Sequence, residues 1–169
     1  MSFTFVIGGA RSGKTRYALE QALARPGSRR VMIVTAQALD EEMTQRIARH
    51  RAERGEDWAT VEEPLNLAAA VRGLAAGEVA VVDCLTLWLS NLMLGDLDVG
   101  AATRELSQAL AASAAEIFVV SNEVGQGIVP DNALARRFRD EAGWMNQAMA
   151  AAASRAVLVA AGLPLVLKG

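Results

Sequence analysis

Cysteine, histidine and aromatic residues are all scarce in this 169-residue chain. Its one cysteine, Cys84, has no partner for an intrachain disulfide, so nothing indicates an oxidising compartment. No uninterrupted apolar run approaches the roughly 18 residues that span a bilayer, and Met1 to Ala10 lack the basic flank of a signal peptide. We therefore expect a cytoplasmic protein with no membrane insertion.

An excess of charge of one sign is also missing, because the formal net charge is only −2. A general nucleic-acid binder would be strongly basic, so we expect no nucleic-acid partner. Aromatic residues make up 5% of the chain and apolar residues 52%, which predicts a core built mainly from Ala, Val, Leu and Ile. The length suits a single catalytic domain spanning 1–169, and we find no internal repeat or low-complexity linker.

What the chain does contain is a complete phosphate-binding loop of the form G-x-x-x-x-G-K-[ST] at Gly8–Thr15. An apolar run that is typical of a strand precedes it, and a run of good helix formers follows, which is the context that a genuine loop of this kind requires. Gly8 and Gly13 allow backbone N–H groups to surround phosphate oxygens without interference from Cβ atoms. Lys14 would reach the β- and γ-phosphates, and the Thr15 hydroxyl would ligate Mg²⁺. The motif therefore predicts binding of a nucleoside triphosphate.

Strand and helix signals alternate along the rest of the chain, with short connections between them. Continuous apolar strands separated by helices predict a largely parallel sheet covered on both faces, which is an α/β fold. Besides the strand before the loop, we predict strands near 31–35, 79–82, 117–120, 156–160 and 165–167, and a short extended segment at 60–62. We predict helices near 17–23, 40–54, 65–74, 86–94, 101–115, 131–142 and 144–154.

Ligands of such sheets bind at the carboxyl ends of the strands. That rule places Gly8–Thr15, Thr35, Asp83-Cys84 and the loop 122–130 along one edge. Asp83 follows four apolar residues and resembles a carboxylate that helps to hold Mg²⁺, although many buried strands end in Asp simply because a turn follows.

His50 is the only histidine, and helical spacing places it on one face with Met43 and Ile47. It could be a partly buried residue whose ring is bonded to a backbone carbonyl. However, neighbouring arginines at 46, 49 and 51 would lower its pKa, keep the imidazole neutral and attract phosphate. A neutral imidazole in such a setting can act as a nucleophile toward phosphorus.

Matches to a known family extend well beyond the phosphate-binding loop and cover essentially the whole chain. The matching positions are Gly8–Thr15, Arg46-Ile47, His50-Arg51, Arg54, Trp58, Thr60, Glu62, Asp83–Thr86, Ser121–Gly125, Gly127–Pro130, Phe138–Asp140, Gly143, Asn146-Gln147 and Ala161–Pro164. On these residues the chain resembles the bifunctional adenosylcobinamide kinase / adenosylcobinamide-phosphate guanylyltransferase family of cobalamin biosynthesis. The Asn122–Gly125 segment and the helix around His50 are its most specific parts. One departure is local: many members have Pro where Gly55 follows Arg54.

The resemblance implies a RecA-like P-loop NTPase fold, assembly as a homotrimer, and two reactions. Members phosphorylate adenosylcobinamide with a nucleoside triphosphate, GTP or ATP. They then transfer GMP from GTP to adenosylcobinamide phosphate through a GMP-histidine intermediate, which releases pyrophosphate. By the same resemblance, His50 is the catalytic nucleophile. The phosphate-binding motif adds Lys14 as a catalytic residue, and the motif and the strand end together predict that Thr15 and Asp83 hold Mg²⁺. The implied nucleotide-binding residues are Gly8, Gly9, Ala10, Arg11, Ser12, Gly13, Lys14, Thr15, Ile33, Val34, Thr35, Arg51, Ala52, Glu53, Arg54, Glu62, Asp83 and Cys84.

Several alternatives remain open at this stage. Glu62 could accept the N1–H and N2–H₂ donors of guanine, or it could be a surface carboxylate beside Glu63. Trp88 and Trp144 are expected to be packing residues. A simple small-molecule or nucleotide kinase would use the same loop, with the arginines at 136–139 as a phosphate clamp, and would form no covalent adduct. A regulatory GTPase is disfavoured because the Asn-Lys-x-Asp guanine signature is absent.

Overall fold

Seven strands form one sheet in this computed structural model, which describes residues 3–26, 28–36 and 58–169. The order across the sheet is β3-β2-β4-β5-β1-β6-β7, and only β7 runs antiparallel to its neighbour. The strands are β1 (Thr4–Gly8), β2 (Arg30–Val34), β3 (Trp58–Glu62), β4 (Val79–Asp83), β5 (Glu116–Asn122), β6 (Arg155–Ala160) and β7 (Leu163–Lys168).

Five helices cover this sheet within the same part of the chain. They are α1 (Lys14–Leu23), α2 (Leu67–Arg72), α3 (Leu85–Leu94), α4 (Val99–Ala112) and α5 (Ala133–Ala152). Their side chains form two apolar clusters, one including α1 and the other including α2 to α5. Because both faces of the central strands are buried, those strands are continuously apolar, as β4 with its Val-Ala-Val-Val run shows. Within the described residues, no helix combines the length and apolar character needed to cross a membrane.

The strand order and register place the predicted site residues at one edge of the sheet. Gly8, the last residue of β1, lies opposite Asn122, the last residue of β5. On the other side of β5, Asp83 at the end of β4 lies opposite Val120. The phosphate-binding loop, the end of β5 and Asp83 therefore lie on adjacent strands at the carboxyl edge.

The prediction of two separate C-terminal helices was wrong. We predicted helices near 131–142 and 144–154 with a break at Gly143, but α5 is one continuous helix. Gly143 is exposed and has no positive φ, and Ala142, Met145, Asn146 and Met149 hold both halves against the same buried surface. The packing of these residues outweighs the modest cost of glycine within a helix. The segment near 60–62 is part of a full strand, β3, which pairs with β2 along its whole length. The helix predicted near 40–54 lies outside the described residues.

The two tryptophans after position 80 have different environments. Trp88 is 1% exposed in the larger apolar cluster, and its indole N–H donates a 2.7 Å hydrogen bond to the backbone oxygen of Leu65. Trp144 is 63% exposed on α5, so the expectation that it is a packing residue was wrong. Trp88 therefore holds α3 against the segment that follows β3.

Replacing Trp88 with Phe should lower the free energy of unfolding by about 1–3 kcal/mol, because it removes the donor to Leu65 and leaves unfilled volume in the core. Trp144→Phe is the matched control and should change stability by less than about 0.5 kcal/mol, as exposed substitutions usually do. Urea denaturation followed by circular dichroism measures both variants. Equal stability of the two variants would show that the Trp88 contact contributes nothing.

Candidate nucleotide-binding site

The loop between β1 and α1 has a backbone suited to hold an anion. Gly13 has φ +94°, a backbone conformation that residues with a side chain rarely adopt. The backbone of Arg11 is also left-handed, with φ +54°. Gly13 is the N-cap of α1 and has no side chain to bond the N–H groups of the first helical turn. Those N–H groups and the positive end of the helix dipole are therefore available to phosphate oxygens.

Close packing on both sides determines the shape of this loop. A Cβ atom on Gly8 would lie 2.5 Å from the Ser12 hydroxyl and would also collide with the backbone oxygen of Val159. The turn between β6 and β7 supports the loop from outside, because the N–H of Gly162 donates a 2.8 Å hydrogen bond to the backbone oxygen of Ser12. Gly162 has φ +79°, and its Cα lies 3.2 Å from where a Cβ on Gly13 would be. Sequence reasoning matched Gly162 to the family but assigned it no supporting role.

Two predicted phosphate and metal residues lie together at the start of α1. The Lys14 side chain is largely buried, and its Nζ donates a 3.0 Å hydrogen bond to the backbone oxygen of Gly9, which keeps the ammonium over the loop. The Thr15 hydroxyl lies 3.4 Å from Oδ2 of Asp83. One hydroxyl and one carboxylate at a phosphate loop suit Mg²⁺, which usually takes one or two protein oxygens together with substrate phosphates and water. In the described ranges, no three His, Cys, Asp or Glu side chains form an all-protein metal site.

The end of β4 is joined to the end of β2 through Thr35. The Thr35 hydroxyl accepts a 3.0 Å hydrogen bond from the N–H of Cys84 and donates one of 2.8 Å to the Cys84 backbone oxygen. The Thr35 N–H also donates to the backbone oxygen of Asp83 at 3.2 Å. The peptide bond between Asp83 and Cys84 is cis. Thr35 thus contributes to the position of Asp83, a connection that the sequence did not reveal.

Asn122 and Asn146 join three elements at the same edge. The Asn122 side-chain amide donates a 2.6 Å hydrogen bond to the hydroxyl of Thr86 in the first turn of α3. On α5, the buried amide of Asn146 accepts from the Ser121 hydroxyl at 2.7 Å and donates to the Asn122 backbone oxygen at 3.1 Å. Sequence reasoning noted Asn122 and Asn146 as family matches but proposed no role for them. Polar residues at the end of an apolar strand and on the buried face of a helix are the signal that could have found this cluster.

The other predicted nucleotide-binding residues that the structure describes differ in which of their atoms a ligand can contact. The side chains of Ile33 and Val34 are buried in opposite apolar clusters, so only their backbone atoms could contact a nucleotide. Cys84 is 6% exposed. Glu62 is exposed at the carboxyl end of edge strand β3, opposite Val34 in the register. It therefore lies on the same edge of the sheet as Asp83, two strands away.

The arginines proposed as a phosphate clamp make local contacts. Arg136 donates to the backbone oxygens of Pro130 and Asp131 at 2.9 and 2.7 Å. Arg137 faces Glu141 at 4.0 Å, and Arg139 faces Asp140 at 3.7 Å. Their arrangement is that of a helix surface whose charges are partly compensated, which favours a structural role over a clamp.

Two groups of predicted residues lie outside the described residues: His50, and the segment Arg51, Ala52, Glu53 and Arg54. Their roles in catalysis and nucleotide binding stay predictions. The described part of the edge accordingly includes the residues predicted for the triphosphate and for Mg²⁺, but not the predicted nucleophile.

Comparison with protein families finds one match over nearly the whole chain. Residues 4–167 match the family described as cobinamide kinase / cobinamide phosphate guanyltransferase. The chain is 51% identical to the bifunctional adenosylcobalamin biosynthesis protein CobP of Pseudomonas aeruginosa, covering 97% of this chain and 96% of that one. It is 40% identical to the bifunctional adenosylcobalamin biosynthesis protein CobU of Escherichia coli, covering 96% of this chain and 98% of that one.

Solved structures with the same fold are much more distant in sequence. The flagellar accessory protein FlaH from Methanocaldococcus jannaschii superposes with a TM-score of 0.53 at 13% identity, covering 99% of this chain and 78% of that one. A solved ATPase domain also gives a TM-score of 0.53, at 14% identity, covering 93% of this chain and 68% of that one. These similarities, together with the parallel sheet and the loop at Gly8–Thr15, confirm the predicted RecA-like P-loop fold.

The Cys84 thiol should be unreactive in the folded protein. Burial, and then the negative charge of Asp83, raise the pKa of this thiol, so the reactive thiolate is disfavoured. Because the pKa is higher in the folded than in the unfolded state, the thiol favours folding below its unfolded pKa, and this contribution is lost as the pH rises toward the folded value. Ellman's reagent at pH 8 should label the native chain slowly and the urea-unfolded chain rapidly, with one equivalent. Rapid labelling of the native protein would contradict this assignment.

Proposed function

The chain belongs to the cobinamide kinase / cobinamide phosphate guanyltransferase family, and we propose that one nucleotide site at Gly8–Thr15 serves both of its reactions. The enzyme phosphorylates adenosylcobinamide with a nucleoside triphosphate. It then transfers GMP from GTP to adenosylcobinamide phosphate, which yields adenosylcobinamide-GDP and pyrophosphate. The observation that supports a single site best is the convergence of the loop, Lys14, Thr15 and Asp83 at one edge of the sheet.

In the kinase reaction, the site mainly positions the triphosphate and stabilises its charge. The loop N–H groups and Lys14 hold the β- and γ-phosphates while the hydroxyl oxygen of the substrate's aminopropanol arm attacks the γ-phosphorus. The bond between the γ-phosphorus and its bridging oxygen breaks, the nucleoside diphosphate leaves with the electron pair, and the hydroxyl proton is released to solvent. Lys14 already lies over the loop at the Gly9 backbone oxygen, so it needs little movement to contact phosphate.

In the guanylyl transfer, we assign the nucleophile to His50. A nitrogen of its neutral imidazole attacks the α-phosphorus of GTP, the bond to the pyrophosphate oxygen breaks, and pyrophosphate leaves with the electron pair. A phosphate oxygen of adenosylcobinamide phosphate then attacks the same phosphorus, and the P–N bond breaks to return neutral His50. Lys14 and the arginines of the 46–54 segment would stabilise the departing pyrophosphate.

Thr15 and Asp83 are the residues that would hold Mg²⁺, because their oxygens lie 3.4 Å apart beside the loop. When bound, the ion supplies positive charge to the phosphate oxygens. Asp83 is kept in place by the hydrogen bonds that Thr35 makes to the Asp83 and Cys84 backbone. GTP and ATP are the nucleotide substrates that this arrangement accommodates.

Glu62 would select guanine over adenine. A carboxylate can accept hydrogen bonds from both N1–H and N2–H₂ of guanine, whereas adenine presents an acceptor at N1 and no matching pair of donors. The position of Glu62, exposed at the carboxyl edge beside β2, supports this role. The neighbouring Glu63 is different, because its side chain accepts from the N–H groups of Leu65 and Asn66.

Assembly and location are further parts of this proposal. We propose that the enzyme works as a homotrimer in the cytoplasm, where its nucleotide substrates are found. A row of exposed apolar residues on β7, including Leu163 at 73% exposure, supports contact between copies, because apolar patches of this kind commonly mark interfaces.

GTP labelled at the α-phosphate should transfer its label to His50 when Mg²⁺ is present. The product should be labile in acid and stable in alkali, because protonation of the nitrogen in a P–N bond makes it a good leaving group. Mass spectrometry of the intact protein and of its peptides measures the adduct. Label that survives acid, or that persists in His50→Ala, would contradict the mechanism. Such a result in an enzyme that phosphorylates adenosylcobinamide would favour a simple kinase without a covalent intermediate.

The same assay tests the single site. Lys14→Met should reduce both kinase activity and adduct formation by roughly ten- to hundredfold or more, because a charge-assisted hydrogen bond to phosphate is lost. Lys168→Met is the matched control, since within the described residues the Lys168 ammonium donates hydrogen bonds only to the backbone oxygens of Ala150 and Ala151. Full adduct formation by Lys14→Met would require a second nucleotide site.

Glu62→Gln should raise the GTP concentration needed for half-maximal adduct formation by about five- to hundredfold, because one acceptor oxygen becomes a donor that opposes a guanine donor. The preference for GTP over ATP should fall in parallel, while the rate of adduct formation at saturating GTP is retained. Glu63→Gln is the matched control, because glutamine preserves the acceptor oxygen used by Leu65 and Asn66. The measurement is the rate of adduct formation against GTP and ATP concentration for both variants. If Glu62→Gln and Glu63→Gln show the same nucleotide dependence, Glu62 is an ordinary surface carboxylate.

A further inference from the structure

An open cavity of about 320 Å³ lies between the C-terminal half of α3 and the first turns of α5. Its lining is uncharged and mostly apolar, with Asn132 and the residues Ser90, Met93, Leu94, Leu134, Ala135 and Phe138. Ligand pockets typically have volumes of roughly 300–1,000 Å³ and combine apolar walls with a few polar groups. None of these lining residues takes part in the nucleotide site described above.

Several residues that are exposed at or near the cavity are large and apolar. Leu94 and Leu134 line it and are 71% and 55% exposed. Ile128 and Val129, on the connection that leads from β5 into α5, are 98% and 60% exposed. Exposed apolar side chains that line a cavity, as Leu94 and Leu134 do, indicate a binding surface, because leaving them in water is unfavourable.

Both walls of the cavity begin at the phosphate edge. On one side, Thr86 in the first turn of α3 is bonded to Asn122, and Ser90 follows about 6 Å farther along the helix axis at 1.5 Å per residue. The next residue, Asn91, donates a 2.9 Å hydrogen bond to the backbone oxygen of Thr35. The C-terminal half of α3 therefore stays beside the carboxyl edge of the sheet.

The other wall begins at the phosphate-binding loop itself. The N–H of Glu123 donates a 3.0 Å hydrogen bond to the backbone oxygen of Gly8, and the chain then runs through Ile128 and Val129 to α5. Arg136 fixes the end of this connection through the backbone oxygens of Pro130 and Asp131. A ligand in the cavity would thus be adjacent to the site where phosphate is transferred.

We propose that this cavity binds one edge of the corrin macrocycle of adenosylcobinamide, an inference that rests on the proposed function. The acceptor substrate is a large ring with apolar faces and amide side chains, and its aminopropanol arm must reach the γ-phosphate. An apolar cavity without charged lining residues suits the ring and not the anionic nucleotide. Ser90 and the side-chain nitrogen of Asn132, whose oxygen accepts from the N–H of Ala135, offer polar groups to ring amides. The macrocycle is larger than the cavity, and the exposed Ile128 and Val129 on the connection into α5 would offer it further apolar surface.

The test compares Leu94→Ser, Leu134→Ser and their double variant with Leu23→Ser. Leu23 is the matched control, because it is 51% exposed at the last residue of α1, at the opposite end of that helix from the phosphate-binding loop. In the kinase assay, the double variant should raise the KM for adenosylcobinamide by about tenfold through lost apolar contact, with the KM for nucleotide unchanged. Leu134→Met, which keeps the apolar surface, should retain the wild-type KM for adenosylcobinamide.

GMP-adduct formation from GTP alone needs no corrinoid, so it should be equal in all of these variants. If the wild-type protein does not phosphorylate adenosylcobinamide, the proposed function itself fails. If the wild-type protein is active and the double variant has the same KM for adenosylcobinamide as Leu23→Ser, the cavity is not the corrinoid site. Light scattering after gel filtration gives the remaining outcome: a changed oligomeric state in the double variant would identify the cavity as a contact between copies and overturn the proposal.

Discussion

The close packing of the loop backbone at Gly8–Thr15 is the constraint on which the rest of the site depends. There is no room for a side chain at Gly8, and Gly13 combines a left-handed backbone with contact to Gly162. This packing shapes a loop whose N–H groups, together with those of the first turn of α1, can bind phosphate oxygens. Lys14 and Thr15 are the first two residues of that helix, so their positions follow directly from the loop.

Hydrogen bonds from neighbouring strands complete this arrangement. Thr35 holds the backbone of Asp83 and Cys84, which places the Asp83 carboxylate beside the Thr15 hydroxyl. Asn122 bonds the start of α3, and Asn146 bonds the end of β5 to α5. Buried polar groups with satisfied hydrogen bonds make such positions specific, because any shift would leave a donor or acceptor unpaired in the interior. The helices that line the apolar cavity are therefore held in a definite relation to the phosphate edge.

An enzyme with two successive reactions on one acceptor benefits from this layout. In our proposal the nucleotide phosphates occupy the loop in both reactions, and the guanine base lies toward Glu62, on the opposite side of Asp83 from β1. In our proposal the corrinoid stays on the α3 and α5 side and presents first its hydroxyl and then its new phosphate.

Local sequence determined the strands, most of the helices and the phosphate-binding loop. These features depend on apolar runs and on glycine positions within a few residues of one another. It also identified Lys14, Thr15 and Asp83, since a strand end and a helix start are local features. Only the tertiary structure decided which strands are neighbours, and hence that Thr35 bonds Cys84 and that Gly162 supports Ser12. Packing across the sheet likewise decided that α5 continues through Gly143 and that Trp88 is buried while Trp144 is exposed. The physical reason is that these outcomes depend on contacts between residues far apart in the chain, and no short pattern of residue types specifies those contacts.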